Sequence, residues 1–389
     1  MSFKPIAVII AFLSLASASF AQSVIVTNMA SLSQDTVMKK QLVGSLEGFL
    51  REKGGPAKNN PYILKEYLPE TAVLLDELTG IEQSAKYNDK NFYKCHLTNV
   101  VKYDAANYAV QFSYLGIAEG EPVLRASYKM LAKYANGQFY FYSPLKQNTR
   151  SWKSKRMMNV VFHYKDTLLR KDADAYFRTV AYYDKKLAIP YSPIELYYCD
   201  NFQEAQQVLG LDYRSDYNGV PGNILSSRAN NISVVLSGYD SYNHRFDPHD
   251  LWHDRLRVAM TSDTINRPVD EGCAYLYGGS WGLTWREVLT QFKKYAADHP
   301  DADWLSLYTD TKNFVDGDRS LKVPYVLNAL IVQKIEREKG FAQVMQLLSC
   351  GKRQSGDENY FRSLEKVEGI NKANFNAEMR GLIKASKLN

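Results

Sequence analysis

The chain has only six histidines in 389 residues, and three of them, His244, His249 and His253, fall within ten positions. Two frame the string His249-Asp250-Leu251-Trp252-His253. On a helix, residues four apart project from one face, so both imidazoles can converge on one metal ion. Pro248 supports a helix opening there, because a proline at the first helical position gives up no needed N–H. Eighteen residues beyond His253 stands Glu271, in the string RPVDEGCAYLYGG. Two histidines and a carboxylate form a three-ligand zinc set that leaves the fourth tetrahedral position for water, as hydrolytic sites require. Taken alone, His249 and His253 also read as two helix-surface side chains, and His244 as a loop residue. The metal reading rests on the two strings together.

At this spacing the strings resemble the gluzincins, the peptidase-MA-like zinc metallopeptidases. In that family an HExxH helix is followed, about twenty residues on, by a second helix carrying a glutamate ligand. Its aminopeptidase branch places that glutamate in an Asn-Glu-Gly-hydrophobic-Ala string, to which Asp270-Glu271-Gly272-Cys273-Ala274 is similar. The resemblance implies His249, His253 and Glu271 as ligands, zinc as cofactor, and hydrolysis of a peptide or protein substrate by a metal-activated water. Val323-Pro324-Tyr325 is similar to the segment where these enzymes carry an oxyanion-stabilising tyrosine, which implies that role for Tyr325. A tyrosine anchoring a helix N-terminus is its other reading.

One position departs from the family. Where the general base is a glutamate, this chain has Asp250. Its carboxylate is withdrawn by roughly 1–1.5 Å, about one C–C bond, and a displacement on that scale costs about 10²-fold in rate. Three outcomes stay open: Asp250 acts as base on a shifted helix, Asp254 or Asp270 substitutes, or the site binds metal with little hydrolysis. Asp254 follows His253 directly and projects elsewhere on a helix, whereas Asp270 suits a helix cap or a partner that orients a ligand histidine. The alternative to a peptidase is thus a weak or inactive relative that binds peptides or glycans.

These side chains need elements to hold them. Apolar periodicity predicts a strand over 157–164, a helix over 173–187, a strand over 194–199, a helix over 202–209 and a strand over 232–237. From Pro248 onward the chain reads as nearly all helix, including a long one over 323–339. Upstream, helices are expected over 37–50 and 69–80, then strands over 92–103, 108–115, 122–131 and 138–142, with Asn136-Gly137 a two-residue hairpin signal. The fold class expected is α+β. An N-terminal helix-plus-antiparallel-sheet domain occupies 22–150 and a gluzincin-like domain, a small sheet and then a mainly helical lobe, occupies 155–389. The polar stretch 144–155 is the expected boundary. In shape the first unit resembles the cone-like nuclear-transport-factor-like fold.

Composition excludes several classes. A chain 45% apolar and 23% charged is globular in type, not disordered or fibrous. A net charge of +6, with bases scattered among acids, gives no basic face for nucleic acid. No GK[ST] or GxGxxG phosphate loop is present. Residues 1–21 read as a signal peptide, with Lys4, a short apolar run and small residues at Ser19 and Ala21, so the mature chain is expected to be secreted or periplasmic. No later stretch is long and apolar enough for a membrane span. Cys95, Cys199, Cys273 and Cys350 form no CxxC pair and read as buried thiols or one structural bridge.

Overall fold

The computed structural model describes residues 23–28, 30, 35–239, 246–317 and 319–387; the expected signal peptide and His244 lie outside them. The described chain is α+β, with thirteen α-helices and two mixed sheets. No helix in it is long and apolar enough to cross a membrane.

The chain opens with β1 (Ile25–Val26), α1 (Thr36–Arg51), α2 (Leu68–Leu78), β2 (Lys94–Lys102), β3 (Asn107–Ala118), β4 (Glu121–Ala135) and β5 (Gln138–Tyr142). The first sheet runs β1-β2-β3-β4-β5 and is antiparallel except at β1–β2. β3 alternates, turning Tyr108, Val110, Phe112 and Tyr114 inward against Leu46 and Phe49 of α1 and against α2. Between β4 and β5, Asn136 and Gly137 both have positive φ (52° and 79°), as a two-residue I′-type hairpin needs.

Next come α3 (Leu145–Asn148), β6 (Lys153–Met157), β7 (Val160–Tyr164), α4 (Arg170–Lys186), β8 (Ile194–Tyr198), α5 (Phe202–Leu209), β9 (Leu211–Arg214), β10 (Ile224–Ala229) and β11 (Ile232–Ser237). The stretch expected to be a polar boundary therefore contains α3 and the start of β6. It reads polar because Pro144 and Leu145 are its only buried apolar side chains. β9 returns to the first sheet and pairs with β4. The second sheet runs β10-β11-β8-β7-β6, parallel at its centre and antiparallel at both edges.

That second sheet is covered on both faces. Leu225, Val234, Leu236 and Tyr197 turn toward the core shared with α2, α5 and the first sheet. Val235, Ile194, Leu196, Val160 and Phe162 turn the other way, toward α4 and the helices that follow. A strand buried on both sides needs no polar face, which is why β11 reads ISVVLS without alternation. The same argument covers α2, buried nearly all round where it packs on β10 and β11.

The remaining helices are α6 (Pro248–Ala259), α7 (Arg267–Gly278), α8 (Trp285–Asp298), α9 (Trp304–Thr309), α10 (Val323–Lys339), α11 (Phe341–Leu348), α12 (Glu358–Glu368) and α13 (Phe375–Ala385). α10 is buried along most of its length and forms the centre of this lobe. α7 lies along α10, and α6 packs against α7 and α4.

Candidate metal centre

α6 begins at the N-cap Asp247, whose carboxylate accepts from the His249 backbone N–H at 2.8 Å, and Pro248 follows in the first turn. One face of α6 sinks Leu251, Trp252 and Leu256 into the helical core. His249 and His253 lie half-buried at its margin, one turn apart, with their Nε2 atoms 3.2 Å from each other. From α7, the buried Glu271 carboxylate stands 3.6 Å from His249 Nε2 and 4.0 Å from His253 Nε2. One ligand atom from each residue lies within 4.8 Å of the others, so this group can hold a metal ion.

Two glycines set the approach of the helices. A Cβ on Gly272 would lie 2.6 Å from Asn328 Cβ and 2.9 Å from the Ala329 nitrogen, so glycine after Glu271 lets α7 close onto α10. A Cβ on Gly278 would lie 2.5 Å from the His249 nitrogen, so glycine there brings the end of α7 against the start of α6. The Gly279 carbonyl can then accept from His249 Nδ1 at 2.8 Å. His253 Nδ1 is 2.9 Å from Asp270 Oδ1, an oxygen that also accepts from the Trp252 indole N–H at 3.1 Å. Asp270 thus orients the His253 imidazole.

Both Nδ1 atoms face acceptors and must carry their protons, which leaves both Nε2 lone pairs aimed at each other and at a carboxylate. Three electron-rich groups converging without a cation between them repel one another. In the metal-free chain a proton eases this. Burial opposes charge on His249, but Glu271 and the Gly279 carbonyl outweigh it and raise its pKa to about 9. Burial likewise pushes Glu271 up, and the two imidazoles and Arg267 more than reverse that, leaving it below its usual range. Two imidazoles and a carboxylate, each histidine oriented by an oxygen acceptor, are the donor set of hydrolytic zinc sites.

Asp250 follows His249 on α6, and the Tyr239 hydroxyl donates to its Oδ2. Asp254 is turned away, buried beside Arg255, which is itself bonded to Asp184. Tyr325 sits at the start of α10, edge-on to Tyr275 at 5.6 Å and bonded to Arg267. Burial and the charge of Glu271 raise the Tyr325 pKa, so its hydroxyl keeps its proton. Arg267 reaches Glu271 Oε1 at 2.8 Å. Tyr239 and Arg267 escaped the reading of the sequence, as did the contact made by the Gly279 carbonyl. Only Arg267, one helical turn before Glu271, left a signal in the spacing. The four cysteines are unpaired; burial pushes the thiol of Cys273, two positions after Glu271, far up.

Two clefts of about 470 and 320 Å³ adjoin α2 and α3 and share Glu66 and Lys146; none of His249, His253 and Glu271 lines either. Compared with known proteins, the sequence matches no family model and no curated protein.

Proposed function

We propose that the protein is an exported zinc metallopeptidase of gluzincin type, or a close relative, hydrolysing peptide bonds at the His249–His253–Glu271 centre. The observation that carries this reading is the convergence of the two Nε2 atoms and the Glu271 carboxylate, with both Nδ1 atoms held by oxygen acceptors. A zinc ion held there supplies Lewis acidity, which polarises a scissile carbonyl and lowers the pKa of water to roughly 7.

The chain's own groups then divide the work. Asp250 is the general base, taking the proton of the attacking water and passing it to the leaving amine. Tyr239 holds its Oδ2, which fixes the carboxylate's rotation and leaves Oδ1 to accept. Because aspartate is one methylene short, the rate is expected to fall about 10²-fold below that of a glutamate in its place. Arg267 has only donors, so Tyr325 accepts from it and its own O–H stays free to donate to the oxyanion.

The test is metal analysis together with hydrolysis of a mixed peptide library. About one zinc per chain is expected, with His253→Ala losing both metal and cleavage. Asp250→Glu should keep the metal and cleave about 10²-fold faster. A folded wild-type chain that takes up no zinc would sink the reading. Zinc without cleavage, and no gain from Asp250→Glu, would leave the second reading, a peptidase-like module that binds peptides or glycans. The observation favouring that one is the cleft of about 470 Å³, lined by Tyr67, Tyr103 and Tyr142.

A further inference from the structure

The charged side chains around the candidate ligand group are bonded to neighbouring groups of the protein. Asp270 is engaged by His253 and Trp252, and Asp250 by Tyr239. Arg353, whose charge bears on Tyr325, is bonded to Asp357, Thr309 and Thr311. Arg267 differs. Its Nη2 reaches Glu271 Oε1 at 2.8 Å and its guanidinium is bonded to Tyr325, yet the side chain is 74% exposed. A guanidinium offers five N–H donors in a planar fork, and two partners leave donors directed to solvent beside the centre.

Neutralising Glu271 does not account for this placement. In the metal-free chain the His249 proton already meets that carboxylate, and a metal taking its place would bring two positive charges. An additional exposed cation suits an anion arriving from outside. Arg353 is charge-matched by Asp357, so Arg267 carries the exposed positive charge on the Tyr325 side of the centre.

We infer that Arg267 is a specificity residue that receives a substrate carboxylate next to the scissile bond, so that the centre removes C-terminal residues from peptides with a free carboxyl end. The inference rests on the peptidase reading above and adds the substrate end to it. A guanidinium binds a carboxylate through two parallel N–H···O bonds, a geometry that lysine's point charge does not reproduce. Two sources can supply that carboxylate, a peptide's terminus or an acidic side chain, and the peptide series below separates them.

The experiment measures binding by calorimetry, with and without zinc, on the full chain in the Asp250→Asn background so that turnover does not intrude. The probes are an N-acetyl dipeptide acid, its amide, and an amidated dipeptide ending in glutamate. The free acid is expected to bind at least about tenfold tighter than the amide, as loss of a charge-assisted pair implies. Arg267→Gln, loaded with zinc to the same content as the wild type, should bring the acid down to the amide's affinity, and Arg267→Lys should recover only part of the difference. Equal binding of acid and amide, or a preference that survives Arg267→Gln, overturns the inference. Binding of the amidated glutamate peptide as tightly as the free acid overturns the assignment to the C-terminus. Failure of the peptidase reading is seen separately, as wild-type chain that binds the acid selectively and cleaves nothing.

Discussion

Between His249 and Glu271 the metal-free chain holds a proton that a metal must displace. The His249 pKa rises from 6.5 to about 9, so below about pH 9 the folded chain carries that proton. Displacing one proton makes metal affinity rise about tenfold per pH unit, here over pH 7 to 9. Chelator competition at pH 7, 8 and 9 measures this, and a flat profile would show that His249 is not the site of exchange. The same shift has the opposite sign for the metal-free fold. Its contribution to stability is complete below pH 6.5 and is lost as pH rises through about 9. At this scale the sequence was partly legible. His249, His253 and Glu271 stand out because their types are rare or paired at a helical interval. Tyr239 is one of 28 tyrosines, and its link to Asp250 depends on where a strand end meets a helix. Gly279 acts through a carbonyl that every residue possesses, so no side chain could announce it.

α6, α7 and α10 turn those residues into a cluster, and the glycines of α7 govern the fit. Alanine at Gly272 would place its methyl 2.9 Å from backbone of α10, which cannot yield as a flexible side chain can. Overpacking of this kind costs about 1–3 kcal/mol. Gly272→Ala is therefore expected to lower the denaturant midpoint and, by displacing Glu271, to weaken metal binding with it. Unchanged stability would mean that α7 can move off α10 freely. Helices were the most legible elements, since Pro248 and the apolar spacing mark α6 and the long run from Val323 marks α10. Four strands were not, the two-residue β1 among them. β6 is an edge strand with four of its five residues exposed, so KSKRM shows no alternation. β9 is only four residues long, and β10 is half-buried along nearly all its length, so neither presents a clean period of two.

Across the whole molecule, the second sheet is the shared wall between two cores. Tyr197, Leu225, Val234 and Leu236 depend on the first sheet, α2 and α5 for cover, while their neighbours in the same strands belong to the helical lobe. Removing the N-terminal unit exposes that face, at about 1.5–3 kcal/mol for each large apolar side chain uncovered. Against a typical net stability of about 5–15 kcal/mol, that loss is decisive. A fragment of residues 155–387 is thus expected to be insoluble or to lack a cooperative melt by circular dichroism, and a soluble, cooperatively melting fragment would refute the dependence. This dependence could not be read from the sequence, because β9 and α5 leave the second unit's stretch of chain to complete the first unit's core. A wall covered on both sides also has a temporal consequence. The backbone N–H groups of β8 and β11 reach water only when one whole core opens, so they belong among the last in the molecule to trade hydrogen for deuterium. The helix bearing His249 and His253 follows β11 in the chain, and is suspended from the slowest-opening part of the protein.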